Sequence, residues 1–212
     1  MKFYDCRTAP SPQKVRLFIA EKGLEIDTVE VDLRSLEHQR PEFLAINPAA
    51  SVPVLELDDG TRLTESLAIC HYLEQVDPEP NLMGRDAREQ ALVLMWNDIQ
   101  TFEGYLAVQE VLRNAHPAFQ RRALVGPESY DQIPALAERG RLRSARYFER
   151  LDAHLASSEW VAGPRFTYAD IVGFVYLGFA ARTLREDLTE GRAHLRRWRD
   201  AVARRPAIES AC

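Results

Sequence analysis

Two polar residues stand where a helix is predicted to begin, and their chemistry suits a charged ligand. Thr64-Glu65-Ser66 precedes the segment Leu67–Leu73, whose apolar residues recur at helical spacing. Backbone N–H groups in the first turn of a helix have no partner within the helix, and the helix dipole there attracts an anion. Glu65 and Ser66 are therefore candidate ligand-binding residues. The alternative is plain helix capping, in which Thr64 or Ser66 satisfies those N–H groups.

A second group of polar side chains lies in the N-terminal loop. Cys6, Thr8 and Ser11 belong to or border a turn-rich stretch that precedes the predicted helix Lys14–Lys22, for which Gly23 is the stop signal. The three cysteines of the chain, Cys6, Cys70 and Cys212, are odd in number and show neither a CxxC pair nor metal-type spacing. We predict reduced thiols and no metal site.

The elements that position these residues fall into two halves. A strand at Lys2–Asp5, the helix and the alternating residues 29–33 form a βαβ unit, which predicts two parallel strands. Asp59-Gly60 between the apolar runs 52–57 and 61–63 predicts a hairpin. A helix from Thr64 to about Glu74 completes this half. The predicted domains are 1–80 and 86–212, with a linker at 81–85.

The second half is predicted to be helical. A long amphipathic helix carries its apolar seam on Leu92, Met95, Ile99, Phe102 and Leu106. Further helices are predicted over 134–156, after Thr167-Tyr168-Ala169-Asp170, which is close to a capping box, and over 192–204. Residues 114–131 are predicted to be an irregular connection.

Composition excludes several classes of protein. The formal net charge is −5 and the pI is near 5.6, whereas nucleic-acid binders usually have a basic surface. No apolar stretch approaches the roughly 18–20 residues of a membrane helix. The N-terminal residues MKFYDCRT lack the apolar core of a secretory signal. These features predict a cytoplasmic protein that binds neither nucleic acid nor membrane.

Four motifs, in order, resemble the signature of the soluble glutathione transferase family. They are Ile46-Asn47-Pro48, Val52-Pro53-Val54-Leu55, the run Leu63–Ile69 with Tyr72-Leu73, and the C-terminal pair Trp160–Gly163 and Phe166–Asp170. The resemblance covers both halves of the chain, and it is to bacterial-type members with a serine or cysteine loop. It implies a thioredoxin-like α/β N-terminal domain followed by an all-α C-terminal domain, with glutathione as co-substrate.

The resemblance also assigns the glutathione site. It implies that Pro53 is cis and that Val52 presents its backbone N–H and C=O to the cysteine part of glutathione. It further implies that Ser66 holds the γ-glutamyl carboxylate and that Glu65 pairs with the ammonium group. His38 stands where relatives place a residue that reaches the glycine carboxylate; the alternative is an exposed loop histidine.

The residue that activates the thiol is less evident, because the position at which relatives place serine, cysteine or threonine is Ala9 here. Ser11 is the first candidate, since it lies at the helix start; Thr8, Cys6 and backbone N–H groups are the alternatives. Lowering a thiol pKa by two units requires about 2.7 kcal/mol. A hydrogen bond to a charged group supplies about 1.5–3 kcal/mol, and a helix N-terminus adds about 0.3–1 kcal/mol. One hydroxyl and the helix end would therefore suffice. Ser11 as a simple N-cap is the structural alternative.

The helical half is predicted to bind a small, mostly apolar electrophile. The candidate lining residues are Phe102, Tyr105, Leu106 and Gln109, although Phe102 and Leu106 also suit core packing. The predicted function is a homodimeric glutathione transferase that acts in detoxification. A glutathione-dependent disulfide reductase or isomerase, and a non-catalytic interaction module of the same fold, are the alternatives.

Overall fold

A computed structural model describes residues 1–211, so Cys212 lies outside the described residues. The chain divides into two compact units. The first comprises residues 1–80, 125–128 and 207–211, and the second comprises residues 81–124 and 129–206. Residues 81–85, the predicted linker, belong to the second unit, where Leu82 and Met83 are buried.

The first unit contains a four-stranded sheet in the order β2-β1-β3-β4. Its strands are β1 (Lys2–Asp5), β2 (Asp27–Glu30), β3 (Val54–Glu56) and β4 (Arg62–Leu63). β1 pairs with β2 in parallel, with Phe3 opposite Thr28, and with β3 antiparallel, with Phe3 opposite Leu55. β3 and β4 form the hairpin predicted from Asp59-Gly60. Both the βαβ unit and the hairpin are confirmed, although β2 begins two residues before the predicted alternation 29–33 and ends at Glu30, so Val31 and Leu33 lie outside the strand.

Three helices accompany this sheet: α1 (Pro10–Lys22), the short α2 (Pro41–Leu44) and α3 (Ser66–Val76). α1 begins at Pro10, four residues before the predicted start at Lys14. Proline is tolerated in the first turn because its missing N–H would have no partner there. The helix ends at Gly23, whose φ of +65° is the left-handed conformation expected of a glycine C-cap.

A buried ion pair joins the C-terminal ends of α1 and α3. Lys22 Nζ lies 2.6 Å from Glu74 Oε2 and donates a hydrogen bond of 2.6 Å to the carbonyl oxygen of Asp77. Both charged side chains are almost fully buried. The pair therefore fixes the two helices against each other at the end opposite to the candidate site.

The second unit is helical. Its elements are α4 (Ala87–Ile99), a π-helical segment (Gln100–Tyr105), α5 (Leu106–Ala115), a 3-10 turn (Pro117–Phe119), α6 (Pro134–Leu155), α7 (Tyr168–Leu184) and α8 (Ala193–Ala203); α9 (Pro206–Ala211) follows. The helices predicted over 134–156 and 192–204 and after Thr167 are confirmed. The prediction of one long regular helix is wrong in one respect. The π-helical segment lies between α4 and α5 and changes the direction in which the following side chains point.

The predicted apolar seam of this long helix is not its buried face. Met95, Phe102 and Leu106 are exposed, whereas Val93, Trp96, Asn97, Gln100, Gly104, Ala107, Val108 and Val111 are buried. The buried stripe contains the polar residues Asn97 and Gln100 and the glycine Gly104, so hydropathy alone points to the wrong face. Core packing is therefore excluded as the role of Phe102 and Leu106 within this unit.

The predicted capping box at the start of α7 is confirmed and extended. Asp170 Oδ2 accepts a hydrogen bond from the backbone N–H of Thr167, while Oδ1 accepts from the N–H of Val161 and from Trp198 Nε1. Asp170 is completely buried. One carboxylate thus connects α7 to the preceding turn and to α8. No helix within residues 1–211 is both long and apolar enough to span a membrane.

Candidate functional site

The start of α1 carries the first candidate, Ser11. The N-cap of α1 is Ala9, which has extended backbone and no capping side chain, so Ser11 is not the N-cap considered as an alternative. Ser11 is the second residue of the helix and is half-buried. Its hydroxyl forms no hydrogen bond within residues 1–211, so it is available to a ligand.

Cys6 and Thr8 occupy the loop before Ala9. The Cys6 side chain is only 3% exposed, and its sulfur lies 3.5 Å from Thr8 Oγ1. Cys6 and Cys70 are both free and buried. A buried thiol is poorly placed for a mixed disulfide with glutathione, because the attacking sulfur must reach its partner.

Arg16 holds this loop in place. Its guanidinium forms hydrogen bonds of 2.8 and 2.6 Å with the two carboxylate oxygens of Asp5 and one of 3.3 Å with the carbonyl oxygen of Arg7. Both bonds to Asp5 come from Nη1, and because donor and acceptor are charged they are stronger than hydrogen bonds between neutral groups. The sequence motifs give Arg16 no role; Asp5, a buried acidic residue at the end of a strand, is the signal that could have pointed to a basic partner.

The start of α3 carries Glu65 and Ser66. Glu65 is the N-cap, and the structure shows no side chain capping this helix, so the capping alternative is wrong. The backbone N–H groups of Ser66, Leu67 and Ala68 have no acceptor within residues 1–211. Ser66 Oγ donates a hydrogen bond of 2.9 Å to the carbonyl oxygen of Ser11. The first turns of α1 and α3 are therefore in direct contact.

The backbone of Glu65 is in an uncommon conformation. Its φ is +58° with ψ of 118°, whereas most residues with a side chain avoid positive φ. Such a conformation costs of order 1–3 kcal/mol and is found mainly where function requires it. The residue in this conformation carries an exposed carboxylate and directly precedes the uncapped first turn of α3.

Val52 and Pro53 are joined by a cis peptide bond, as predicted. The Val52 side chain packs against the core cluster of Tyr4, Val31, Phe43 and Val54. No partner for the N–H or C=O of Val52 lies within residues 1–211, so its backbone is what a ligand can contact. Asn47, another motif residue without an assigned role, supports this turn by donating to the carbonyl oxygen of Ser51 at 2.8 Å.

His38 is buried in the first unit. It lies in a 3-10 turn, Glu37–Gln39, and is 8% exposed, so it is not an exposed loop histidine. Within residues 1–211, no cluster of three or more His, Cys, Asp or Glu side chains is arranged to hold a metal ion.

The remaining candidates lie in the second unit. Phe102 is 59% exposed and Leu106 is 39% exposed. The ring of Tyr105 stacks on that of Tyr176 with centroids 4.7 Å apart, and Gln109 Nε2 donates to the Tyr105 hydroxyl oxygen at 2.5 Å. The structure thus places an exposed apolar pair beside a partly buried tyrosine whose hydroxyl is held by Gln109.

Comparison with known proteins agrees with this architecture. Residues 8–76 match the family model "Glutathione S-transferase, N-terminal domain", and residues 113–206 match "Glutathione S-transferase, C-terminal domain". Glutathione S-transferase 2 of Saccharomyces cerevisiae is 33% identical over 99% of this chain and 88% of that protein.

Two solved structures are similar over nearly the whole chain. The crystal structure of Gtt2 from Saccharomyces cerevisiae has a TM-score of 0.90 and 32% identity, and it covers 100% of both chains. A glutathione S-transferase domain-containing protein of Marinobacter aquaeolei has a TM-score of 0.87 and 35% identity, covering 98% of this chain and 100% of its own. In sequence and in fold, this chain belongs to the glutathione S-transferase family.

Proposed function

We propose that this glutathione transferase ionises bound glutathione beside Ser11 and directs the thiolate at a small, mostly apolar electrophile. The transferase activity follows from the family. The observation that carries the residue assignment is the hydrogen bond of 2.9 Å between Ser66 and the Ser11 carbonyl, which joins the first turns of α1 and α3. One peptide ligand can therefore contact both helix starts.

Three parts of the first unit would hold glutathione. The uncapped N–H groups of α3 suit the γ-glutamyl carboxylate, and the exposed Glu65 carboxylate suits the ammonium group. The unpartnered backbone groups of Val52 suit the cysteinyl residue in the manner of an added strand. His38 is assigned to the glycine carboxylate. Ser66 acts mainly through its N–H, because its hydroxyl already donates to Ser11.

Thiol activation is assigned to the Ser11 hydroxyl and the start of α1. The hydroxyl has no partner within the described chain, and a hydrogen bond to a thiolate contributes about 1.5–3 kcal/mol. The helix end contributes about 0.3–1 kcal/mol more. Together they match the roughly 2.7 kcal/mol needed to lower the thiol pKa by two units. The near-complete burial of Cys6 favours conjugation over disulfide exchange.

The test is a glutathione titration in which thiolate ultraviolet absorbance is followed across pH. We expect saturable binding with a depressed thiol pKa, and we expect Ser11→Ala to raise that pKa by one to two units, or about 1.4–2.7 kcal/mol. Thr8→Val is the matched control, since it removes a neighbouring hydroxyl in the same loop. An effect of Thr8→Val and none of Ser11→Ala would transfer the role to Thr8. No binding at millimolar glutathione would overturn the proposed function.

Three further features complete the proposal. Alanine stands at position 9, where relatives have serine, cysteine or threonine, and a serine follows two residues later at Ser11. This supports a variant of the serine-loop subtype found in bacterial-type members. The free thiols of Cys6 and Cys70 support a cytoplasmic location.

The exposed apolar residues on α4 and α6 support a homodimer. They are Leu94, Met95 and Leu142.

A further inference from the structure

A cavity in the second unit is lined mainly by arginines. It has a volume of about 360 Å³ and lies between α6 and the π-helical segment. The residues that line it are Glu103, Arg143, Arg146, Tyr147 and Arg150. All of them belong to one compact unit, and none belongs to the sequence motifs or to the assigned glutathione site. The proposed function therefore leaves this cavity unexplained.

The two walls of the cavity approach each other closely. Arg143, Arg146 and Arg150 follow at intervals of three and four residues, so they lie along one face of α6. Tyr147, which is 2% exposed, closes the cavity toward the core. A Cβ atom at Gly104 would lie 2.7 Å from Tyr147 Cε1, so the glycine allows the π-helical segment to approach α6. Such π-helical turns frequently occur at functional sites.

Two of the three guanidinium groups at the cavity are held in place. Arg143 Nη2 donates a hydrogen bond of 2.5 Å to the carbonyl oxygen of Phe102, and its Nη1 lies 3.0 Å from Glu110 Oε1. Arg150 Nη1 lies 2.7 Å from Glu103 Oε2. These contacts fix both positive groups before a ligand arrives, which lowers the entropy cost of binding.

The positive charge at the cavity is only partly compensated. Arg139, the fourth arginine along this face of α6, also pairs with Glu110. Arg146 makes no hydrogen bond or ion pair with any described residue. Four guanidinium groups thus stand beside two carboxylates, those of Glu103 and Glu110. Burial raises the pKa of Tyr147 above its usual range, so the tyrosine adds no negative charge. The cluster carries an excess of two positive charges.

This excess of charge suits a phosphate group. A guanidinium offers its donors in a planar fork that matches two phosphate oxygens. A phosphate monoester carries about −1.5 to −2 charges at neutral pH, which matches the excess, whereas a monocarboxylate would leave one positive charge over. The cavity is larger than a phosphate group alone and falls within the range of small-molecule sites, about 300–1,000 Å³.

The rest of the chain argues against a polyanion at this place. The formal net charge is −5, and a protein that binds nucleic acid usually presents an extended basic surface. A long polyanion that reached the cavity would also meet the acidic remainder of the chain. A small anion meets only the arginines.

From these observations we infer that the cavity binds a small organic phosphate monoester. Arg143 and Arg150 hold the phosphate from two sides, and Arg146, which has no other partner, donates to it from between them. The organic group of the ligand occupies the remaining volume. This inference goes beyond the proposed function and does not depend on the glutathione assignment.

The test is calorimetric titration of the full chain with phenyl phosphate, with and without millimolar glutathione. We expect saturable binding that glutathione does not compete away. Benzoate, with one negative charge, should bind at least tenfold more weakly, and inorganic phosphate, which lacks the organic group, should also bind more weakly. Phthalate carries two carboxylates on the same ring and tests whether the site selects phosphate or any dianion.

Arg146→Gln is the variant that tests the residue assignment. It should weaken the binding of phenyl phosphate by about tenfold, because one charge-assisted hydrogen bond is lost. Arg141→Gln is the matched control, since Arg141 is exposed on the same helix, has no side-chain partner among the described residues and lies outside the cavity. Thermal melting verifies that both variants fold. Glutathione binding should be unchanged in both.

Several outcomes would overturn this inference. They are the absence of phenyl phosphate binding, competition by glutathione, and an equal loss in Arg141→Gln and Arg146→Gln, which would indicate unspecific attraction. Phthalate that binds as tightly as phenyl phosphate would overturn the selection of phosphate, and inorganic phosphate that binds as tightly would overturn the organic ester. A protein that binds phenyl phosphate but no glutathione would overturn the proposed function alone.

Discussion

Glu65 illustrates how a single residue can be unfavourable for folding and suited to binding. Its positive φ is one that glycine adopts at no steric cost, yet the position carries a long acidic side chain. The strained backbone turns the chain so that α3 begins with uncapped N–H groups and a carboxylate beside them. A ligand with adjacent positive and negative groups, such as the γ-glutamyl end of glutathione, would satisfy both.

This leads to a prediction for two variants of Glu65. Both Glu65→Gly and Glu65→Ala should weaken glutathione binding by about tenfold, since each removes one charge-assisted contact. Only glycine relieves the backbone strain, so Glu65→Gly should be more stable than Glu65→Ala by about 1 kcal/mol after the entropy cost of glycine. Calorimetric titration and urea unfolding measure the two effects. Equal stability of the variants would contradict the argument from strain.

At the scale of elements, Asp170 connects α7, α8 and the turn at Val161 through one buried carboxylate. Burial raises its pKa from 3.8 to about 6, and the hydrogen bonds from Val161, Trp198 and Thr167 only partly oppose this. The folded state therefore binds a proton more tightly than the unfolded state. Stability from this group is greatest below about pH 4 and declines as the pH rises to about 6.

Asp170→Asn removes this titration and is the direct test. The free energy of unfolding of the wild-type protein, relative to the variant, should decrease by up to about 3 kcal/mol between pH 4 and 6 and be constant above pH 7. Urea unfolding at several pH values gives the difference. A relative stability that rises over this range would mean that the hydrogen bonds outweigh burial and that the pKa is lowered.

The buried pair of Lys22 and Glu74 gives a second prediction for elements. Lys22→Met leaves the Glu74 carboxylate buried without its counter-charge, which should cost about 3–5 kcal/mol. The double variant Lys22→Met with Glu74→Leu removes both charges and should recover most of that loss. Urea unfolding of the single and double variants completes the cycle. If the double variant is as unstable as the single one, the pair contributes by its geometry and not by charge compensation.

Patterns with a single strong cause could be predicted from the sequence, and patterns with competing causes could not. Asp59-Gly60 allows only a tight turn between apolar runs, and Thr167 with Asp170 meets a specific capping geometry. The face of α4 and α5 could not be predicted, because exposed Met95 and Phe102 resemble core residues more than buried Gln100 does. The hydrogen bond from Gln109 to Tyr105 could not be predicted either, because a spacing of four residues on a helix allows two side chains to meet but does not show that they do.

At the scale of the whole molecule, the second unit exposes several large apolar side chains. Met95 on α4 is 45% exposed and Leu142 on α6 is 75% exposed. Arg143, next to Leu142, donates to the carbonyl oxygen of Phe102, so α6 and the π-helical segment are adjacent. Large apolar side chains that are this exposed are candidates for a protein interface.

We therefore expect a homodimer whose interface includes these residues. Multi-angle light scattering should give about twice the chain mass of 24.2 kDa. Leu142→Glu should shift the protein toward monomer, because placing like charges at a twofold-symmetric contact costs several kcal/mol. Leu124→Glu is the matched control, since Leu124 is also an exposed leucine of the second unit but lies in the loop after α5. A wild-type monomer at every concentration would refute the dimer, whereas a Leu142→Glu protein that dimerises as tightly as the control would place the interface elsewhere.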